Sequence, residues 1–127
     1  IEFNTIQKDK KLTAYLKKTK CKLLISWHDF NKTPNDSQLR IKFNKMRKFS
    51  DVVKIVTVAK NVSDASRLLS LYSIKSKNKT VAFCMGEPGK FSRILCLHLG
   101  SPFTYVSLGK AIAPGQFSVD EVKLFSD

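Results

Sequence analysis

Residues 51–59 read Asp-Val-Val-Lys-Ile-Val-Thr-Val-Ala, an apolar and largely β-branched run with a lysine inside it. A run of this kind indicates a strand that is buried on both faces, as in a parallel sheet. Similar short runs occur on both sides of it, and together they predict five strands, at 1–5, 22–27, 51–59, 80–85 and 102–108.

Stretches with helical spacing separate these strands, at 8–20, 34–48, 63–72, 91–99 and 118–125. In the second stretch the apolar residues recur at i, i+4 and i+7, at Leu39, Phe43 and Met46. Thr33 and Ser63 are predicted to cap the second and third helices. Strands that alternate with helices form a parallel sheet, so the fold class is α/β, either an open doubly wound sheet or part of a (β/α)8 barrel.

Composition limits the class of protein. The chain has 127 residues, of which 43% are apolar, and we interpret it as one folded domain. It contains no apolar run of roughly 18 residues and no signal peptide, so we expect no membrane partner. Three cysteines without a close pair, and the absence of a glycine-rich phosphate loop, predict a cytoplasmic protein without a metal or a cofactor.

The net charge of +13 leaves one alternative open, a basic α/β domain that binds nucleic acid. However, many of the lysines fall in the predicted helices at 8–20 and 34–48, where they are expected on the solvent face. Aromatic residues are not interleaved with them as in single-strand binders. This alternative therefore ranks last, and we expect no nucleic-acid partner.

Reactive side chains occur where function sits in parallel folds, within the strands and at their carboxyl ends. Lys54 is anomalous inside an apolar strand, because a desolvated ammonium tends to lose its proton and become a nucleophilic amine. His28 ends the preceding strand and is a candidate general acid and base. Arg93 could bind a carboxylate, and Gln116 lies on a loop after the turn at Pro114-Gly115.

Four segments in this order resemble the type I 3-dehydroquinate dehydratase family: 26–30 with 32–34, 51–55, 85–93 and 113–116. They contain the His-Asp pair, the lysine in an Asp-Val-Val-Lys-Ile context, Met-Gly-x-x-Gly-x-x-Ser-Arg and Ala-Pro-Gly-Gln. The run Ser92–Cys96 also looks like the dehydratase half of bifunctional enzymes that continue into shikimate dehydrogenase.

The resemblance implies a lyase of the shikimate pathway, which dehydrates 3-dehydroquinate to 3-dehydroshikimate through a lysine Schiff base in a (β/α)8 barrel. Residues 1–127 would form the C-terminal half of that barrel, approximately strands 4 to 8 with their helices. By position, the resemblance makes Lys54 the Schiff-base lysine and His28 the general acid and base. The implied substrate-binding residues are Arg93, Gln116, Met85, Tyr105 and Ile112.

Two departures from the family pattern leave a further alternative open. Ile112 stands where the family usually has Ser or Thr, and isoleucine cannot form the hydrogen bond that those residues make. The family's first three strands, with a glutamate that orients the histidine, have no counterpart here, so we expect this chain alone to lack the full active site. Its expected partners are the substrate and the missing N-terminal half, with a homodimer left open. The alternative is a non-catalytic remnant of the same barrel.

Overall fold

The computed structural model describes residues 1–125, and at its centre lies a parallel sheet of three strands. The strands are β1 (Leu24–His28), β2 (Val52–Val58) and β3 (Lys79–Met85), in that spatial order. Their register aligns Lys54 with Ser26 on β1, and His28 with Val56 on β2. Ser26, His28 and Lys54 therefore lie on one face of the sheet, because side chains alternate along a strand.

Six helices accompany the sheet in the described residues: α1 (Phe3–Lys8), α2 (Lys10–Lys18), α3 (Asp36–Met46), α4 (Val62–Leu69), α5 (Ser92–His98) and α6 (Val119–Lys123). Two 3₁₀ turns, Ser70–Ser73 and Glu87–Gly89, connect α4 to β3 and β3 to α5. A second, two-stranded parallel sheet consists of β4 (Val106–Ser107) and β5 (Phe117–Ser118). The predicted α/β class is confirmed.

The main core lies on the sheet face opposite Lys54. The predicted face of α3 is fully buried there, and Ile25, Val53 and Ile55 contribute the strand residues of the same cluster. Burying side chains of this size contributes about 1.5–3 kcal/mol each. The opposite face carries Lys54 and the other polar residues, together with a smaller apolar cluster that includes Val56, Val81 and Phe83.

The first predicted strand is wrong. Residues 3–8 are the helix α1, and only Glu2 pairs with the sheet, through an isolated parallel bridge to Ser26. Phe3 and Ile6 are buried in the main core, and their spacing suits one face of a helix. Tertiary packing therefore overrides the local β-branched pattern.

The fifth predicted strand, at 102–108, is also largely wrong, because only Val106–Ser107 is a strand and it pairs with Phe117–Ser118. The outer edge of β3, where a neighbouring strand would add, has other partners. The Tyr72 hydroxyl donates to the Ala82 carbonyl and accepts from the Ala82 amide, at 3.1 and 2.8 Å. The Cys84 amide donates to Ser92 Oγ at 2.8 Å.

The two predicted helix caps are wrong as well. Asn35 caps α3, with its side chain accepting from the Gln38 amide, and Asn61 caps α4 by accepting from the Asp64 amide. Thr33 is instead buried, where its hydroxyl contacts Thr57 Oγ1 at 2.7 Å and donates to the Val58 carbonyl at 2.8 Å. By contrast, Ser118, the first residue of the predicted helix 118–125, does cap α6. Within residues 1–125, no helix combines the length and apolarity needed to cross a membrane.

Candidate active site

A cavity of about 220 Å³ opens at the carboxyl ends of the three strands, on the face opposite the main core. Six of the seven predicted site residues line it: His28, Lys54, Met85, Arg93, Tyr105 and Gln116. Apolar walls are added by Val56 and Phe83, which lie beside His28 in the strand register. The cavity thus brings together residues that are 88 positions apart in the chain, His28 and Gln116.

Lys54 and His28 face each other in this cavity. The Lys54 ammonium nitrogen, Nζ, lies 3.5 Å from His28 Nε2, which is the outer limit of a hydrogen bond. Nζ also lies over the ring of Tyr105, 4.4 Å from its centroid. An amine in this position can attack a carbonyl carbon while the imidazole handles the proton.

Burial lowers the pKa of Lys54 below the ordinary lysine value of 10.5, and the nearby positive charge of Arg93 lowers it further. The negative charge of Glu2 acts in the opposite direction. A lower pKa increases the fraction of neutral amine at a given pH. A larger fraction of Lys54 is therefore neutral, and so able to act as a nucleophile, than of an exposed lysine at the same pH.

His28 has a neighbour on each side of its ring. Its Nδ1 contacts the Glu2 carboxylate, and the Phe30 ring stacks on it with a centroid distance of 5.5 Å and an interplanar angle of 6°. The family motifs did not point to Glu2. No local pattern in the sequence could have identified Glu2, because its position beside His28 depends on the isolated parallel bridge to Ser26.

Arg93 is buried, with 2% of its surface exposed, and it lies near the start of α5. Its guanidinium stacks over Phe83, and one terminal nitrogen donates to the Pro114 carbonyl at 3.3 Å. Its Nε is buried without a hydrogen-bond partner among the described residues, and none of their carboxylates lies within 4 Å of the guanidinium. A buried guanidinium with an unsatisfied donor is suited to bind an anionic ligand. Burial also lowers the pKa of Arg93.

The loop at 111–116 covers one side of the cavity. The Gly86 amide at the end of β3 donates to the Pro114 carbonyl at 3.2 Å, which ties the loop to the sheet. Gln116 reaches back within the loop, and its side-chain oxygen accepts from the Ile112 amide at 2.9 Å. The Ile112 side chain is 90% exposed and is not among the residues that line the cavity.

A larger groove, of about 390 Å³, lies elsewhere, between Trp27 and the exposed side of α3. It is lined by lysines and polar side chains, including Lys42, which stacks over the Trp27 ring. The smaller cavity instead contains Lys54 and Arg93, two cations whose pKa values are lowered by burial. In the described part of the chain no three His, Cys, Asp or Glu side chains are grouped so that they could hold a metal ion. The smaller cavity is therefore the candidate active site.

Comparison with other proteins agrees with this choice. The family model for type I 3-dehydroquinase matches residues 1–125, nearly the whole chain. The chain belongs to this family. The predicted resemblance is confirmed.

Related proteins in the type I 3-dehydroquinase family carry the enzyme's name. The 3-dehydroquinate dehydratase of Pyrobaculum aerophilum is 48% identical over 103 residues, which are 81% of this chain and 34% of that protein. The solved structure of the 3-dehydroquinate dehydratase from Aquifex aeolicus VF5 has 32% identity and a TM-score of 0.81, covering 98% of this chain and 57% of that one. These relatives do not favour a non-catalytic remnant.

A second similar structure is the dehydroquinate dehydratase and shikimate dehydrogenase from S. pombe, with 27% identity and a TM-score of 0.71. It is matched over 96% of this chain and 24% of that chain. The present chain spans 34% to 55% of the length of the first curated relatives that it matches.

Proposed function

We propose that this chain is the carboxyl-terminal part of a type I 3-dehydroquinate dehydratase, which removes water from 3-dehydroquinate to give 3-dehydroshikimate through a Schiff base on Lys54. The observation that carries the proposal is the 3.5 Å approach of Lys54 Nζ to His28 Nε2 in a cavity that also contains Arg93. The identity of the relatives supports the reaction, since they are named for it.

The proposed reaction begins when the neutral amine of Lys54 attacks the substrate ketone and forms an imine with loss of water. The imine attracts electrons, so His28 can remove a proton from the neighbouring carbon and leave an enamine. The electron pair of the enamine then expels the hydroxyl group, which leaves as water with a proton from His28. Hydrolysis of the remaining imine consumes one water, releases the product and regenerates Lys54.

The remaining site residues bind the substrate in this proposal. Arg93 pairs with the substrate carboxylate, which supplies the partner that its buried guanidinium lacks. Gln116 contacts a substrate hydroxyl once its side chain turns from the loop, while Met85 and Tyr105 form the walls. Ile112 offers no hydrogen bond, and its exposed position leaves it outside the cavity.

We further propose that the three-stranded sheet is a segment of a (β/α)8 barrel, with residues 1–127 corresponding to about strands 4 to 8. Its main apolar core lies on one face, and Ser26, His28 and Lys54 lie on the other, as the outside and inside of a barrel require. A partner polypeptide that supplies the other strands would adjoin β1 and close the cavity. The proposed setting is the cytoplasm, with 3-dehydroquinate as the small-molecule partner and no cofactor.

Reductive trapping tests the proposal. The chain is mixed with 3-dehydroquinate and sodium borohydride, which reduces an imine to a stable secondary amine, and the peptides are analysed by mass spectrometry. We expect one adduct, on the peptide that contains Lys54. Substrate and product adducts differ by one water, so the mass also reports whether dehydration occurred.

Two variants control this experiment. Lys54→Ala should abolish the adduct, whereas Lys79→Ala removes an exposed lysine from the neighbouring strand β3 and should leave it unchanged. A folded wild-type chain that forms no adduct, or an adduct that persists in Lys54→Ala, would count against the proposed function.

A further inference from the structure

Glu2 is held beside His28 by the backbone on both sides of it. The Ser26 amide donates to the Ile1 carbonyl at 2.9 Å, which forms part of the parallel bridge between Glu2 and Ser26. Directly after Glu2 the chain enters α1, and the buried side chain of Phe3 fixes that turn in the main core. The backbone of Glu2 is therefore held by packed structure, while its side chain is 43% exposed.

The Glu2 carboxylate has two partners on the same face of β1. Its Oε1 contacts His28 Nδ1 and accepts a hydrogen bond from Ser26 Oγ at 2.8 Å. Ser26 is 9% exposed, so its hydroxyl has little access to water as an alternative partner. Ser26 thus restrains the carboxylate at the point where it meets the imidazole.

The contact fixes which imidazole nitrogen carries hydrogen. An ionised carboxylate can only accept hydrogen bonds, so the nitrogen that faces Glu2 must be the donor. In the neutral ring this leaves Nε2 with a free lone pair, and Nε2 is the atom that faces Lys54. Phe30 stacks on the ring and limits its rotation.

We propose that Glu2 is a positioning residue, which holds His28 in the Nδ1–H tautomer, and that Ser26 holds the Glu2 carboxylate for this purpose. The catalytic meaning of this arrangement rests on the proposed function, because a bare Nε2 is needed to remove a proton from a substrate bound to Lys54. The family resemblance assigned the histidine-orienting role to a glutamate on a strand that has no counterpart here. Glu2 is a different residue, on an element that this chain contains.

The electrostatics separate this role from activation of the lysine. The charge of Glu2 raises the pKa of Lys54 and so reduces the fraction of neutral amine. Glu2 therefore does not assist the nucleophile, and its favourable interaction is with His28.

The test is the tautomer of His28 in the full chain, measured by long-range ¹H–¹⁵N NMR of the imidazole at about pH 8.5, where a histidine is ordinarily neutral. We expect the Nδ1–H form to dominate in the wild type. In Glu2→Gln the ratio of Nδ1–H to Nε2–H should fall about tenfold, since a hydrogen bond to a charged group is worth that factor or more. Glu87→Gln removes the same charge from an exposed position after β3 and should leave the ratio unchanged.

A second variant keeps the inference testable if Glu2→Gln does not fold. Ser26→Ala retains Glu2 but removes the hydroxyl that restrains it, and should shift the ratio in the same direction by a smaller factor. An unchanged ratio in the folded variants would overturn the inference. The spectra need no substrate, so the two tests can fail separately. A tautomer that depends on Glu2, without a borohydride adduct, would support the positioning role and reject the proposed function. An adduct on Lys54, with a tautomer that does not depend on Glu2, would support the proposed function and reject the positioning role.

Discussion

Lys54 shows how a single side chain can be placed for chemistry at a cost in solvation. It lies in the middle of β2, half-buried, with the ring of Tyr105 on one side and His28 on the other. Desolvation favours the neutral amine, and the Arg93 charge adds to that effect. The same environment that makes the strand stable therefore makes the lysine reactive.

This environment predicts the pH dependence of Lys54 acylation. With a limiting amount of acetic anhydride, peptide mapping should give a midpoint for Lys54 below 10.5, because burial lowers its pKa. Glu2→Gln should move the midpoint further down, since it removes the charge that raises the pKa, and Glu87→Gln should not move it. A midpoint at or above 10.5, or an upward shift in Glu2→Gln, would contradict the electrostatic account.

At this scale the sequence was informative about reactive residues and less so about their helpers. Lys54 could be found because a charge within an apolar strand is unusual, and Arg93 because it belongs to a specific motif. Glu2 could not, because its role depends on a parallel bridge between residues 24 positions apart, which no local pattern encodes. Ile112 was expected at the substrate, but the geometry of its loop points it to solvent.

Helix starts show the same limit at the scale of elements. Ser63 and Thr33 have suitable side chains, but Asn61 and Asn35 are the caps. Asn61 and Asn35 each stand immediately before the first helical residue, with extended backbone that lets the amide oxygen reach the third residue of the helix. Thr33 instead packs against the carboxyl end of β2, where its hydroxyl contacts Thr57 Oγ1 and donates to the Val58 carbonyl. The apolar spacing of α3 was sufficient to predict its buried face, since that pattern is local.

The loop that carries Gln116 depends on Gly115. This residue has a φ of +72°, and a Cβ placed on it would lie 2.7 Å from the Gly86 carbonyl oxygen. Gly115→Ala should therefore push the loop away from β3 and cost roughly 1–3 kcal/mol of unfolding free energy. Urea unfolding measures the loss, and faster hydrogen exchange at the Gly86 amide would locate it.

Gly109→Ala is the matched control for this substitution. Gly109 lies in the preceding turn, outside the positive-φ region, and a Cβ added to it would have no atom within 4 Å. It should change the unfolding free energy by less than about 0.5 kcal/mol. Equal losses in the two variants would show that the close approach to Gly86 does not hold the loop.

For the whole molecule, the α/β class and the existence of the three central strands followed from the alternation of apolar runs, whereas their spatial order did not. The predicted strands at 1–5 and 102–108 are not formed as predicted. Phe3 and Ile6 are buried in the main core as part of a helix, and the outer edge of β3 is bonded to the Tyr72 hydroxyl instead of to residues 102–108. The net charge of +13 is compatible with a small anionic substrate, and its link to nucleic acid stays an untested alternative.

Completion of the barrel makes a prediction at this scale. Mixing the chain with the segment of the Aquifex aeolicus enzyme that it does not match should produce 3-dehydroshikimate, measured by its ultraviolet absorbance, above the rate of either part alone. The physical reason is that added strands would enclose the cavity and exclude water from Lys54 and His28. The same mixture made with Lys54→Ala should stay at background, and activity in that control would contradict the proposal.

The Tyr72 hydroxyl makes the two edges of the central sheet different. It bonds the amide and the carbonyl of Ala82, which an added strand would otherwise pair with at β3. On the β1 side, the described residues form only the isolated bridge between Glu2 and Ser26. A further strand can therefore pair along β1, whereas pairing at Ala82 of β3 first requires Tyr72 to release both backbone groups.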